Sequence, residues 1–216
     1  LLLRVFTFSS RIRRMNDRST PPAKSTPSRT RAEIIGVSHR LFLLQGYHGT
    51  TMRQIAKHAG VALGSLYNHF TDKDDLFGAV FEAYNPYPTL LLALENSRAD
   101  TPAELIRTAA RRMVNVLSAR PDLVKLVFID AVEFQGEHLR KAYPSVAPGM
   151  QAFIQRVRRD TGTVQPFSDD ALLRAFFGLF YTFNMNDMLL GAPVDSESQA
   201  SVLQELIEIY LNGILS

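Results

Sequence analysis

The sequence of 216 residues contains no cysteine. Disulfide bonds, thiolate metal sites and cysteine nucleophiles are therefore excluded, and this absence fits a reducing, cytoplasmic environment. No apolar run approaches the roughly 18 residues of a membrane-spanning helix, so we expect no membrane segment. No strand-length alternation of apolar and polar residues occurs either, and apolar residues recur at helical spacing instead. The sequence therefore predicts an all-α fold.

Motifs of catalysis are missing as well. Glycine-rich phosphate loops, Gly-x-Ser-x-Gly, His-Glu-x-x-His and paired acids in an apolar setting do not occur. Glu133 and His138 resemble an acid–base pair, but no neighbouring residue in the sequence would orient them. His58 and His69 lack a third metal ligand nearby. We therefore expect no enzyme, no metal site and no cofactor.

Charge is distributed unevenly along the chain. Residues 1–31 hold eight lysines and arginines and one acid, whereas the remainder holds 16 basic and 20 acidic residues. A basic arm beside a folded domain indicates a polyanion partner, although a solvated tail would have the same composition. Residues 16–30 are rich in Ser, Thr and Pro, so we expect 1–28 to be a disordered basic extension. Within it, residues 1–14 are interpreted as a non-native or alternatively initiated segment before a start at Met15.

Four short helices are predicted in residues 29–84, which we interpret as one domain. Their boundaries follow from apolar periodicity, capping residues and glycines: about Thr30 to Gly46, Thr50 or Thr51 to Gly60, about 62–69, and Asp72 to Tyr84. The second and third helices, joined by a glycine turn, match a helix-turn-helix. In that motif the second helix of the pair enters the major groove of DNA.

The stretch GVALGSLYNHF, residues 60–70, has the residue types of such a groove-binding helix. Val61, Leu66 and Phe70 are spaced to pack inward. The remaining positions face outward and combine small, hydroxyl and imidazole groups suited to phosphate oxygens: Leu63, Gly64, Ser65, Tyr67, Asn68 and His69. Gly64 lacks a Cβ, which permits close approach of the backbone to DNA. Thr51 and Lys73 flank this face, where free N–H groups and a cation suit phosphates.

The run TTMRQIAKHAGVALGSLYNHFTDKDDL resembles the DNA-binding region of the TetR family of transcriptional regulators. That family's pattern has Thr before the second helix, Ala-Gly-Val at the turn, then G-[ST]-[LI]-Y-x-[HY]-F and a short K-[ED]-x-L segment. The resemblance covers residues 30–84. It implies a homodimer that grips a pseudo-palindromic operator in double-stranded DNA, with a C-terminal domain that binds a small-molecule effector.

The resemblance also implies roles for individual residues. Phosphate contacts are implied for Thr51, Tyr67, His69 and Lys73, and positions near the bases for Arg53, Leu63, Ser65 and Asn68. Position 63 departs from the family, which often has Lys or another polar residue there. Leu63 offers only apolar contact, for instance with a thymine methyl, so Arg53 is the best candidate for a bidentate guanine contact.

Residues 85–216 also read as helical, with a break expected between 138 and 160 at Pro144 and Pro148. A stripe of small residues, Ala171, Ala175, Gly178 and Thr182, permits close helix crossing, and the last helix is apolar at matching spacing. Two such helices from each subunit would form a two-fold four-helix interface. Burial of both helices in a monomeric core is the alternative.

Eight of the fourteen phenylalanines lie between 120 and 190. They suggest an apolar pocket, although simple core packing explains each one individually. The candidate ligand-binding residues are Met113, Phe128, Phe134, Phe153, Phe177, Phe180 and Asn184. Together with the resemblance to the TetR family, this composition implies a repressor that a small, largely apolar molecule releases from its operator. A ligand-independent DNA-binding protein is one alternative, and a helical adaptor, which leaves GVALGSLYNHF unexplained, is another.

Overall fold

The computed structural model describes residues 27–159, 164–190 and 196–215, so the predicted Met15 start and most of the basic extension lie outside it. Within these ranges, the chain forms helices and a single isolated β-bridge between Val164 and Leu215. The predicted all-α fold is confirmed. The helices are α1 (Pro27–Gly49), α2 (Met52–Ala59), α3 (Leu63–Tyr67), α4 (Lys73–Tyr84), α5 (Tyr87–Glu95), α6 (Pro102–Ala119), α7 (Pro121–Glu133), α8 (Glu137–Val157), α9 (Asp169–Leu190) and α10 (Ser196–Ile214). None of these helices is long and apolar enough to cross a membrane.

Local signals account for most helix boundaries. Gly46 interrupts the helical backbone near the end of α1 with φ 76°, a conformation that glycine adopts without a steric penalty. Thr101 Oγ1 accepts a hydrogen bond from Glu104 N at 3.3 Å, and Pro102 occupies the first position of α6. Before α9, Ser168 Oγ accepts from Ala171 N at 3.2 Å.

Helix α8 corrects one prediction, because it runs unbroken from Glu137 to Val157 with Pro144 and Pro148 inside it. Each proline lacks the N–H that would bond to the carbonyl one turn back. Both prolines are exposed and lie four residues apart, so the two missing bonds fall on the same, solvent-facing side. The opposite side of α8 buries apolar side chains, among them Phe153 and Val157, and this packing holds the helix together.

Two hydrophobic cores hold the helices together. The first joins α1 to α4 and includes the fully buried side chains of Phe42, Ile55, Leu66 and Phe77. The second joins α5, α6, α8, α9 and α10. Burying each large apolar side chain contributes about 1.5–3 kcal/mol, so both cores are substantial. Their members lie on either side of residue 85, except that Leu126 of α7 belongs to the first core.

Helices α7 and α8 pack against α4 through an aromatic cluster, which we call the joint and define as Phe77, Phe81, Phe134 and His138. The Phe134 ring stacks on Phe77 at 4.6 Å, and His138 contacts Phe134 edge-on at 4.8 Å. A Cβ on Gly78 would lie 3.2 Å from His138 Nε2, so this glycine lets the imidazole approach α4 closely. Phe134 therefore packs in the first core and not among the other candidate ligand-binding residues.

A buried histidine links α1 to α4 and α7. His39 stacks on Tyr84 at 3.9 Å, and its Nε2 is buried without a hydrogen-bond partner in the described ranges, 3.5 Å from Asp122 Oδ2. Burial lowers the pKa of His39. The charge of Asp122 raises this pKa in part, and the charges of Arg120 and Arg40 lower it further. The neutral imidazole is thus the form that the fold favours.

Stability is accordingly expected to fall on acidification. Because the folded-state pKa of His39 lies below its unfolded value near 6.5, the unfolded chain binds the extra proton. The contribution of His39 is complete above about pH 6.5 and is lost as the pH drops below that value. Urea unfolding of His39→Gln from pH 7 to pH 5 should show a shallower loss than the wild type. His58→Gln, on the exposed surface of α2, is the control and should keep the wild-type slope.

Candidate nucleic-acid interface

Helix α2 is fixed at both ends by its own sequence. Thr51 Oγ1 accepts from Gln54 N at 3.2 Å, while Gln54 Oε1 accepts from Thr51 N at 2.8 Å, which together form a capping box. At the other end Gly60 has φ 67°, and the chain turns so that Val61 N donates to Ala56 O at 3.0 Å. This turn sets the angle between α2 and α3.

Helix α3 is held by one apolar face and presents the other to solvent. Leu66 is fully buried, and Phe70 just beyond the helix is 1% exposed. On the outer face Gly64 and Asn68 are exposed, and Tyr67 has half its side-chain surface accessible. A Cβ on Gly64 would meet no atom within 4 Å, so no neighbour in the described chain covers this side of α3.

Five of the nine predicted contact residues line one shallow depression of about 370 Å³. It lies between the start of α2, the outer face of α3 and the start of α4, and is lined by Thr50, Thr51, Met52, Arg53, Leu63, Tyr67 and Lys73. Hydroxyls, a guanidinium and an ammonium therefore converge at one surface. Such donors suit phosphate oxygens and the acceptor edges of bases.

Lys73 has contacts that the sequence did not reveal. Its Nζ donates to Tyr47 O at 2.9 Å and Thr50 O at 3.0 Å, and it lies 4.0 Å from the Tyr47 ring centre. The ammonium thus binds carbonyls where α1 ends, a position that suits a cation. Burial lowers the pKa of Lys73, and Glu133 partly opposes this. Two of the three ammonium hydrogens are used, which leaves one for an external acceptor.

The other predicted contacts, Gly64, Ser65, Asn68 and His69, lie along α3 and just beyond it but do not line the depression. The structure adds Thr50 and Met52, which do. It also places Arg31 of α1 over the Phe70 ring at 5.0 Å, so a cation lies beside the end of α3. That Thr50 and Met52 line the depression could have been predicted, because both residues adjoin the Thr51 cap. The position of Arg31 beside α3 depends on tertiary packing and could not.

The candidate ligand-binding residues that the structure describes lie in several places. Met113, Phe153 and Phe180 are buried in the second core, and Phe177 packs against that core. Phe128 lies 5.7 Å from the Tyr181 ring on α9, and the side chain of Asn184 lies outside the described part. Phe153 lines a cavity of about 660 Å³ between the α5–α6 connection and α8.

Comparison with known proteins identifies the family to which this chain belongs. The family model described as bacterial regulatory proteins, tetR family, matches residues 34–80, which contain α2, α3 and the depression. The transcriptional regulator LmrA of Bacillus subtilis is 30% identical over 146 residues, covering 66% of this chain and 78% of that protein. The chain belongs to the TetR family. The matched N-terminal part of the chain therefore holds its helix-turn-helix DNA-binding domain.

Other members of the TetR family resemble parts or all of the chain. The transcriptional repressor KstR2 of Rhodococcus jostii is 35% identical over 66 residues, 30% of this chain and 32% of that protein. The crystal structure of a TetR family transcription regulator from Marinobacter aquaeolei VT8 superposes with a TM-score of 0.62 at 18% identity, covering 87% and 96% of the two chains. These relatives are transcriptional regulators, and the second comparison extends the shared fold to the C-terminal helices.

Proposed function

We propose that this protein is a cytoplasmic homodimeric repressor, and not an enzyme, that leaves its operator when a small molecule binds residues 85–216. The observation that carries the proposal is the exposed outer face of α3 beside the depression. There Arg53 and Tyr67 lie on the same surface as Thr51 and Lys73. A groove-binding helix needs such an uncovered face, flanked by donors for the phosphate backbone.

Dimerisation is supported by the surfaces of α9 and α10. The small-residue stripe of α9 is largely uncovered, with Ala171, Ala175 and Thr182 exposed. On α10, Val202 is 47% and Ile209 67% exposed. Two copies of these surfaces, related by a two-fold axis, would form the proposed four-helix interface. The two α3 helices would then lie about 34 Å apart, one turn of DNA.

Ligand response is supported by the 660 Å³ cavity and by the joint. A cavity of this size falls in the range of small-molecule sites. Helix α8 lines the cavity at one end and contacts Phe77 and Phe81 of α4 through His138 at the other. A ligand that prefers one position of α8 would therefore bias the position of α4 and the distance between the two α3 helices.

Selection from a random pool of DNA duplexes at low salt tests the function. We expect retention of pseudo-palindromic fragments by two chains each, with an affinity that falls as salt rises because phosphate contacts release counterions. Compounds would then be titrated into the preformed complex, with release followed by fluorescence anisotropy. The absence of any retained DNA at low salt would contradict the proposal.

Two substitutions should separate base reading from backbone binding. Arg53→Ala is expected to relax preference at one base pair by about 1–3 kcal/mol and to affect other positions little. Tyr67→Phe removes only a hydroxyl and should weaken all sequences alike, by about 0.5–1.5 kcal/mol. Affinities for a set of single-base operator variants measure both effects. Equal weakening of every variant by Arg53→Ala would refute the base contact.

A further inference from the structure

The 660 Å³ cavity differs from the predicted apolar pocket in its charge. Three arginines line it: Arg98 from the α5–α6 connection, and Arg156 and Arg159 from the end of α8. Two acids, Glu95 and Asp100, line it as well. Charged side chains from segments about 60 residues apart in sequence thus meet at one opening.

Two of the three arginines donate to backbone carbonyls. Arg156 donates to the backbone carbonyls of Leu94, at 3.1 Å, and Ser97. Arg98 donates to the carbonyl of Ser97 at 2.9 Å and to that of Glu95. Throughout the described ranges, no ion pair joins any of the three to an acid.

Four other arginines in the described ranges are paired with acids. Each of the following has a guanidinium nitrogen 2.7 or 2.8 Å from a carboxylate oxygen: Arg107, Arg120, Arg158 and Arg174. What is particular to the cavity is that three arginines line it together. Burial lowers the pKa of Arg156, and the charges of Arg98 and Arg159 lower it further, so the three cations repel one another. An anion between them would remove that repulsion, and a guanidinium fork suits a planar oxyanion.

The inner wall of the cavity is apolar. Phe153 and Leu105 line it and belong to the second core, with 2% and 4% of their surfaces exposed. Next to them, a Cβ on Gly149 would lie 2.2 Å from Leu91 Cδ1, so α5 approaches α8 closely at this point. The cavity lining therefore combines five charged side chains, three of them arginines, with buried apolar side chains.

We propose that this cavity binds an amphipathic organic anion, with its oxyanion headgroup between Arg98, Arg156 and Arg159 and its apolar body toward Leu105 and Phe153. This inference adds the charge of the effector to the proposed function. It rests on that function only for the consequence that the bound anion releases the protein from DNA. Binding of the anion to the cavity requires neither DNA nor a particular arrangement of two subunits.

Calorimetry without DNA tests the site with four probes of equal chain length. Octanoate and octyl phosphate carry an oxyanion, whereas octanol is neutral and octylamine is cationic. We expect at least one of the two anions to bind about tenfold more tightly than octanol, and octylamine to bind most weakly. The better of the two anions identifies the headgroup. Equal binding of all four probes, or no binding by either anion, would overturn the proposal.

Substitutions locate the site. Arg156 donates hydrogen bonds to backbone carbonyls, so replacing it would also remove structural contacts. Arg159 is exposed, and its guanidinium makes no such hydrogen bond in the described ranges. It is therefore the better residue to replace. Arg159→Met should weaken binding of the preferred anion about fivefold to tenfold, and Arg159→Lys should retain most of it. Arg112→Met, on the exposed side of α6 outside the cavity, should bind like the wild type. Unchanged binding by Arg159→Met would overturn the assignment.

The same probes distinguish this inference from the proposed function. If the anion binds with the expected dependence on Arg159 but leaves DNA affinity unchanged, the site stands and the release mechanism is wrong. If the protein binds DNA but no anion, the site is wrong and the DNA-binding function stands.

Discussion

Replacing Gly64 with valine is expected to lower affinity for DNA by about 100-fold or more without unfolding the protein. Gly64 lies on the exposed outer face of α3, and a Cβ there would meet no protein atom within 4 Å. The added side chain would instead occupy the space between the α3 backbone and the groove. Specific binding exceeds non-specific binding by about 10³–10⁷, so a helix kept out of the groove loses a large part of that margin.

The milder variant Gly64→Ala should bind DNA less tightly than the wild type but be at least as stable. Alanine is favoured over glycine in a helix by about 0.5–1 kcal/mol, so urea unfolding should show an equal or higher midpoint. DNA affinity, measured by anisotropy, should nevertheless decrease from glycine to alanine to valine. Gly36→Ala is a matched control because a methyl there makes ordinary contact with Tyr84, at 3.5 Å, away from α3. Wild-type affinity in Gly64→Val would show that α3 does not enter a groove.

The largest loss of stability is expected for Asp130→Leu, about 3–4 kcal/mol. The Asp130 carboxylate is fully buried and accepts hydrogen bonds from His138 N at 3.2 Å and Leu139 N at 3.0 Å, with His138 Nδ1 at 2.8 Å. Gly136, which precedes α8, has no side chain to cap it, so Asp130 performs that role from α7. Leucine would leave the partly buried N–H groups at the start of α8 without this acceptor.

Urea unfolding at constant pH measures this effect. Asp130→Asn keeps one acceptor oxygen and should fall between leucine and the wild type. Glu137→Gln is the control because its side chain is exposed and pairs with Lys141 in the first turns of the same helix. That variant should unfold like the wild type. A change of less than about 1 kcal/mol for Asp130→Leu would show that solvent, and not Asp130, satisfies the start of α8.

Local chemistry made the N-terminal domain predictable. The cap at Thr51, the left-handed Gly60 and the cap at Asp72, whose side chain accepts from Asp75 N at 2.8 Å, all depend on residues within four positions of one another. The alternation of buried Leu66 with exposed Tyr67 follows from helical periodicity alone. Such signals fix the outline of the helix-turn-helix and of its outer face.

Features that join distant segments could not be derived in the same way. Asp130 caps a helix that begins after it in the chain, and Lys73 binds carbonyls in and just after the last turn of α1, more than 20 residues away. Aromatic composition placed Phe134 in a ligand pocket, yet it packs on Phe77. The arginines of the cavity are equally invisible in sequence, because an unpaired cation is recognised only when its spatial neighbours are known.

The two prolines of α8 lie between its contacts with the joint and with the cavity. His138 is near one end of the helix, and Gly149 to Arg159 line the cavity at the other. Because two backbone hydrogen bonds are missing on one side, the middle of α8 resists bending less than its ends. In the proposed ligand response, a small tilt of α8 at the arginines would therefore change in size at the prolines before it reaches α4.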